Sequence, residues 1–196
     1  KVFAESTKTI QTPLWNAYHF FTLYANAGNI TAYEMTNPTN PLDKYILAEL
    51  NMLTDIVRAA LTEYKPDVAV KEFVRFLDIL NNWYIRRGRA RFWDEEQAAF
   101  DTLYTVLTRF CRVLAPFAPF ISEYIYTNLT GAESVHLTSF PETVATDTKI
   151  VDDMRRVQMI VSTGKQLREQ YKLRNRLPLN SLTVAGASMP EYADII

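Results

Sequence analysis

Residues 67–93 read DVAVKEFVRFLDILNNWYIRRGRARFW. The run is far longer than a strand, and its apolar side chains recur at helical spacing. At about 100° per residue, Phe73, Phe76, Leu77, Leu80, Trp83 and Tyr84 share one face, the stripe of a helix packed in a bundle. Lys71, Arg75, Asn82, Arg86, Arg89 and Trp93 lie opposite. Arg87 and Arg91 fall back into the apolar stripe. A guanidinium there sits beyond the end of the packed core, or is drawn inward by a carboxylate or a phosphate. Asp67 is the expected N-cap.

Outward from this rod, the neighbouring segments also read as helices. The first runs from about Val2 to Ala27, with Pro13 as an irregularity, and stops near Gly28-Asn29. Asn37-Pro38-Thr39-Asn40-Pro41 is a loop, because neither proline continues a helix. Leu47, Leu50, Leu53, Ile56, Val57 and Leu61 carry a second helix from Leu42-Asp43 to just before Pro66. Asp94 is the expected N-cap of a fourth, with Glu95 and Glu96 in its first turn, and Pro116 and Pro119 interrupt it after Leu114. A further segment reaches Leu129 and is capped by Gly131. Ser134-Val135-His136-Leu137-Thr138 reads as a short extended piece. A fifth helix runs from about Asp147 to Leu173, and Ser181-Leu182-Thr183-Val184 reads as a strand. The expected class is therefore mostly α, a bundle of about five long helices with a short β element near the C-terminus. The expected division is a helical domain over 1–176 and the start of a further unit over 177–196. Because the chain starts at Lys1 and stops soon after a helix start at Pro190-Glu191, it reads as a piece excised from a longer protein.

Composition removes several classes of function. With 48% hydrophobic and 22% charged residues, the chain is not of the disordered type. No apolar run approaches the roughly 18 residues of a membrane span, so no membrane partner is expected. Cys111 is the single cysteine, so no internal disulfide forms, and its apolar helix marks it as an inert core thiol. His19 and His136 are far apart with no cysteine near them, so zinc-ligand spacing is absent. There is neither a Gly-rich phosphate loop nor a G-x-S-x-G elbow. Asp152-Asp153 and Glu95-Glu96 are adjacent on helices, point apart, and suit helix N-termini better than acid–base catalysis. Trp15, Tyr18, Phe20, Phe21 and Tyr24 form an aromatic cluster of the kind that fills cores, with His19 inside it.

The net charge of -1 hides an asymmetry. Residues 71–91 hold six basic groups against two acids, and residues 155–176 hold seven against one, so the remainder is acidic. Two basic segments on an acidic body suggest a localised polyanion contact. A solvated helix face is the ordinary alternative. It is weakened in the central rod because no acid follows Asp78 to make i,i+4 pairs. Near a helix C-terminus the macrodipole accounts for Lys172 and Arg174, but not also for Arg155, Arg156, Lys165 and Arg168.

Four stretches carry a resemblance. Asn81-Asn82-Trp83-Tyr84-Ile85-Arg86-Arg87-Gly88-Arg89-Ala90-Arg91-Phe92-Trp93 resembles the central helix of the anticodon-binding domain of the isoleucyl-tRNA synthetases. Pro13-Leu14-Trp15-Asn16-Ala17-Tyr18-His19-Phe20-Phe21 resembles that domain's first helix. Leu114-Ala115-Pro116-Phe117-Ala118-Pro119-Phe120 with Ser134-Val135-His136-Leu137 resembles its fourth helix and the segment after it. Lys172-Leu173-Arg174-Asn175-Arg176-Leu177-Pro178-Leu179 resembles the passage into the C-terminal junction. Arg86 after the Trp83-Tyr84 pair favours this family over the valyl and leucyl relatives. Gly88 departs from the polar residue often found there and marks either a close backbone approach, to a neighbouring helix or a phosphate, or a weakening near the helix end.

The resemblance implies a cytoplasmic ligase that activates isoleucine with ATP and Mg2+, charges tRNA(Ile) and edits mischarged product. It also implies that zinc is possible in a C-terminal part. The H-I-G-H-like and K-M-S-K-S-like signatures are absent here, so no catalytic, cofactor-binding or metal residue is assigned. The chain's own role would be to hold the anticodon stem-loop, working with catalytic and C-terminal domains elsewhere in the polypeptide. Arg75, Arg86 and Arg89 would contact phosphates, Lys165, Arg168 and Lys172 would form a second patch, and Trp93 would stack on an unpaired base. The rivals are a helical protein-interaction module and a purely structural bundle.

Overall fold

A computed structural model describes residues 7–142, 144–174, 177–186 and 189–195. The chain divides into two compact units, Lys1–Thr146 and Asp147–Ile196. The expected junction at Arg176 lies outside the described residues, as does the expected helix start at Val2.

In the first unit a π-helical turn, Thr7–Gln11, leads into α1, Thr12–Ala27. Three of the following helices, α2 Pro41–Thr62, α3 Pro66–Asp78 and α6 Pro119–Thr130, begin on proline. Proline fits there because the first helical N–H has no intrahelical acceptor to lose. Asn40 caps α2 by accepting the Leu42 amide at 2.9 Å. Helix α3 continues without a break through a π-helical segment, Ile79–Ile85, into α4, Arg86–Trp93. Helix α5, Gln97–Leu114, then packs on α1, α2 and α6.

The core is aromatic and centred on α5. Phe76 stacks on Phe110 at 5.3 Å, Phe73 meets both Phe110 and Phe117 edge-on, and Phe92 meets Phe100 at 5.2 Å. Edge-on and stacked pairs of this kind are the arrangements favoured by ring quadrupoles. Cys111 is fully buried, and burial pushes its thiol well above the ordinary range, which keeps it protonated and inert. The connection after α1 lies along α5. Gln97, Asp101, Thr105 and Arg109, four residues apart on one helix face, bond Thr31 O, Tyr33 N, Met35 N and Glu34 respectively.

The π segment changes the helical reading of the rod. One extra residue in a turn advances the faces by about a residue. The buried positions run Phe73, Phe76, Leu77, Leu80 and Tyr84 as expected, and then pass to Ile85, Gly88 and Phe92, not to Arg87 and Arg91. Those two arginines sit at the edge of the stripe.

In the second unit α7, Thr148–Gln170, lies within the stretch expected from about Asp147 to Leu173, is capped by the Asp147 side chain, and buries Ile150, Val151, Met154, Val157 and Val161 at helical spacing. A 3-10 helix follows at Pro190–Ile195.

The short β element is corrected: no strand occurs among the described residues. Residues 181–185 carry no regular structure, and no extended neighbour is present among the described residues to satisfy a strand's backbone groups. The other extended candidate is a 3-10 turn, Val135–Leu137. Ser134 accepts the His136 amide there, while Glu123 accepts both Ser134 Oγ and the Val135 amide, and these local bonds tighten the chain into a turn. The mostly helical class stands.

Candidate nucleic-acid interface

The arginines of the central rod divide by partner. Arg75 donates from Nε to Glu72 at 2.6 Å and from Nη1 to Glu49 at 2.7 Å. Glu49 is only 1% exposed, so this pair neutralises a carboxylate inside the bundle. Burial pulls the Arg75 guanidinium down, but the bonds to Glu72 and Glu49 outweigh it and hold it above its ordinary value.

Arg91 is more fully committed. It grips Asp43 with both terminal nitrogens, at 2.8 and 2.7 Å, and Glu96 through Nε and Nη2. Asp43 is completely buried at the start of α2 and also accepts the Tyr84 hydroxyl at 2.9 Å. Burial opposes the charge on Arg91, yet the two carboxylates keep it firmly protonated. Burial, and then the Asp43 charge, pushes Tyr84 well up, so it stays a neutral donor. This network ties α2, the π segment, α4 and the start of the α5 approach together. Of the fates weighed for Arg91 in the sequence, capture by a carboxylate is the one observed.

Arg86, Arg87 and Arg89 make no ion pair with any described carboxylate. No acid occurs anywhere from residue 79 to 93. Arg86 and Arg89 are exposed. Arg89 lies 5.9 Å over the Phe20 ring of α1, and Arg87 lies 4.9 Å over the indole of Trp83. Trp93 ends α4 with 75% of its surface open. Thus Arg86, Arg89 and Trp93 lie on one two-turn helix with their functional groups available, whereas Arg75, on the preceding helix, is occupied.

The remaining three candidates belong to the second unit. Lys165 is exposed near the end of α7. Arg168 is half-buried and donates from Nη1 to the carbonyls of Arg174 and Leu177, at 3.1 and 2.8 Å. Lys172 is exposed and left-handed, with φ 53°, just past the helix end. Its amide bonds Glu169 O, and that of Leu173 bonds Arg168 O, a pattern that satisfies carbonyls at the helix terminus.

Sequence reasoning missed the aromatic supports. Phe20 stands under Arg89, and Phe20 itself packs on Phe92 and Tyr24. The only signal was the aromatic cluster on α1, which reads as pure core. His19, expected to be packed within that cluster, is exposed. Among the described residues no group of three or more metal-ligating side chains converges, and no helix is long and apolar enough to cross a membrane.

Among the described residues the body is helical and its basic-aromatic helix end has no carboxylate partner, a surface suited to a polyanion. The family described as "Anticodon-binding domain of tRNA ligase" matches residues 43–184, and the chain belongs to it. Isoleucine--tRNA ligase of Leifsonia xyli is 45% identical over 190 residues, covering 93% of this chain and 17% of the relative. The corresponding ligase of Corynebacterium efficiens is 42% identical over 197 residues, covering 98% of this chain and 18% of the relative. That of Protochlamydia amoebophila is 40% identical over 96% of this chain. The resemblance to isoleucyl enzymes therefore extends over nearly the whole chain, which spans under a fifth of the length of these relatives.

Proposed function

We propose that this chain is the tRNA-docking part of an isoleucine--tRNA ligase and grips the anticodon stem-loop of tRNA(Ile). The carrying observation is that Arg86 and Arg89 have no carboxylate partner among the described residues and share one exposed helix end with Trp93. The two guanidinium groups take backbone phosphates and fix register, and the indole offers a face to an unstacked base. Lys165, Arg168 and Lys172 supply a second phosphate patch in the unit that begins at Asp147. Arg75 is left out of the contact set, because reaching RNA would strip the buried Glu49 of its partner. The functional division into a helical anticodon-binding domain over 1–176 and a further unit from 177 belongs to the same proposal.

In such a ligase the chemistry lies in the rest of the polypeptide. There isoleucine is activated with ATP and Mg2+, transferred to tRNA(Ile), and mischarged product is hydrolysed, in the cytoplasm. Docking energy gathered at the anticodon end orients the acceptor end near that catalytic part.

Titration of the chain with the tRNA(Ile) anticodon stem-loop at several salt concentrations tests the reading. Log K should fall linearly with log salt, by about 0.7 to 0.9 per phosphate contact. Arg86→Ala combined with Arg89→Ala should flatten the slope by about 1.5. An unchanged slope and affinity in a variant that melts normally would put the contact face elsewhere.

A further inference from the structure

Arg87 has a geometry that the docking proposal leaves unused. Its guanidinium is half-buried and lies over the Trp83 ring, and Arg87 is the one partly buried arginine of the rod with no carboxylate on it among the described residues. A charge withdrawn from water normally acquires a partner, as Arg75 and Arg91 do. Arg87 has instead an aromatic face on one side and a second cation, Arg86, beside it. Burial, and then the Arg86 charge, lowers its proton affinity below the ordinary arginine value, in keeping with a site where no described carboxylate pairs with it.

We infer that Arg87 is an anion-binding residue whose missing partner is a phosphate of the bound RNA. The inference rests on the stem-loop reading and adds to it a residue of a different kind. Arg86 and Arg89 reach out from an exposed face, whereas Arg87 is held in place. Stacking on the indole fixes the plane of the guanidinium fork, so little side-chain freedom is lost when a phosphate meets two of its donors. The π segment is what makes this possible. It moves the buried stripe onto Gly88 and Phe92 and leaves Arg87 at the stripe's edge, shielded but open on one side. The phosphate would supply the negative charge that Arg87 lacks and offset the effect of the neighbouring Arg86 charge.

Stem-loop titrations of Arg87→Met and Arg87→Lys, beside Arg86→Ala with Arg89→Ala, decide it. Methionine keeps apolar contact with the ring and removes the charge. It should weaken binding about tenfold at low salt and flatten the salt slope by about 0.7 to 0.9, with no loss of melting temperature. Lysine should restore the slope and recover only part of the affinity, because it lacks the fork. If Arg87→Met binds like the parent while the Arg86/Arg89 variant binds weakly, the inference falls and the docking reading survives. If the unsubstituted chain fails to bind the stem-loop at low salt, both fall. If Arg87→Met melts lower and binds normally once folded, Arg87 is structural and the inference is overturned.

Discussion

Arg87 and Arg91 are one helical turn apart on the same helix, and helical spacing places both in the apolar stripe. In the fold they part company. Arg91 reaches inward to a fully buried Asp43 and across to Glu96, while Arg87 stops on the face of Trp83 with no described carboxylate paired to it. The difference lies in the partner segments and not in the arginines. Asp43 opens α2, and Glu96 stands just ahead of α5, so the last turn of α4 is enclosed by carboxylates and the first turn is not. Identical side chains on one rod therefore serve two ends: one end holds the helices together, the other is kept cationic.

The comparison breaks most visibly at Arg91. Arg91→Ala leaves Asp43 buried and unpaired, with Tyr84 as its remaining donor. Removing one member of a buried ion pair costs about 3–5 kcal/mol, enough to unfold a marginal domain. Thermal or urea unfolding should show a loss of that size. Asp43→Asn with Arg91→Met, which removes both charges, should recover much of it. If Arg91→Ala lost less than about 1 kcal/mol, the network would be incidental.

Arg75 is the intermediate case. Its partner Glu49 is buried, but a third of the Arg75 side chain is open to water, so screening reduces the cost. Arg75→Ala should destabilise by about 2 kcal/mol and leave the salt dependence of stem-loop binding unchanged. A flattened slope with intact stability would instead return Arg75 to the phosphate contacts and erase the distinction between paired and unpaired arginines.

Much of this was legible in local chemistry. Pro119 marks the restart of the helix after Leu114, Gly131 ends α6 with φ 68°, and the helix expected from about Asp147 begins at Thr148, because each rests on chemistry within a residue or two. Two caps were misplaced for equally local reasons. Pro66 opens α3 one residue ahead of Asp67, so the cap position falls to Lys65. Asp94 closes α4, its amide bonding Ala90 O, and Glu95 turns the chain with φ 56°, so α5 begins only after Glu96. What stayed hidden depends on distant partners. Glu49 lies 26 residues from Arg75, and Asp43 lies 48 from Arg91. Nothing in the periodicity of residues 67–93 announces a π segment. The basic-aromatic helix end was readable, because Arg86, Arg89 and Trp93 lie far enough from the stripe that a shift of one residue leaves them exposed.

The smallest expected effect concerns Gly88, which sits between the two arginines on the buried face. A glycine there suggests that something approaches its backbone closely, yet a Cβ at this position meets only the Phe92 ring, at 3.6 Å, an ordinary contact. Its backbone is helical, not left-handed, so alanine is not strained either. Gly88→Ala should therefore stabilise the chain by about 0.5–1 kcal/mol through reduced freedom of the unfolded state, a rise of a few degrees at most in melting temperature. The same substitution separates the two readings of the rod. If the free protein gains stability and stem-loop affinity is unchanged, the RNA meets this helix only through its outward and edge side chains. A gain in stability with a loss of affinity would mean that a phosphate comes down onto the backbone itself between Arg87 and Arg91.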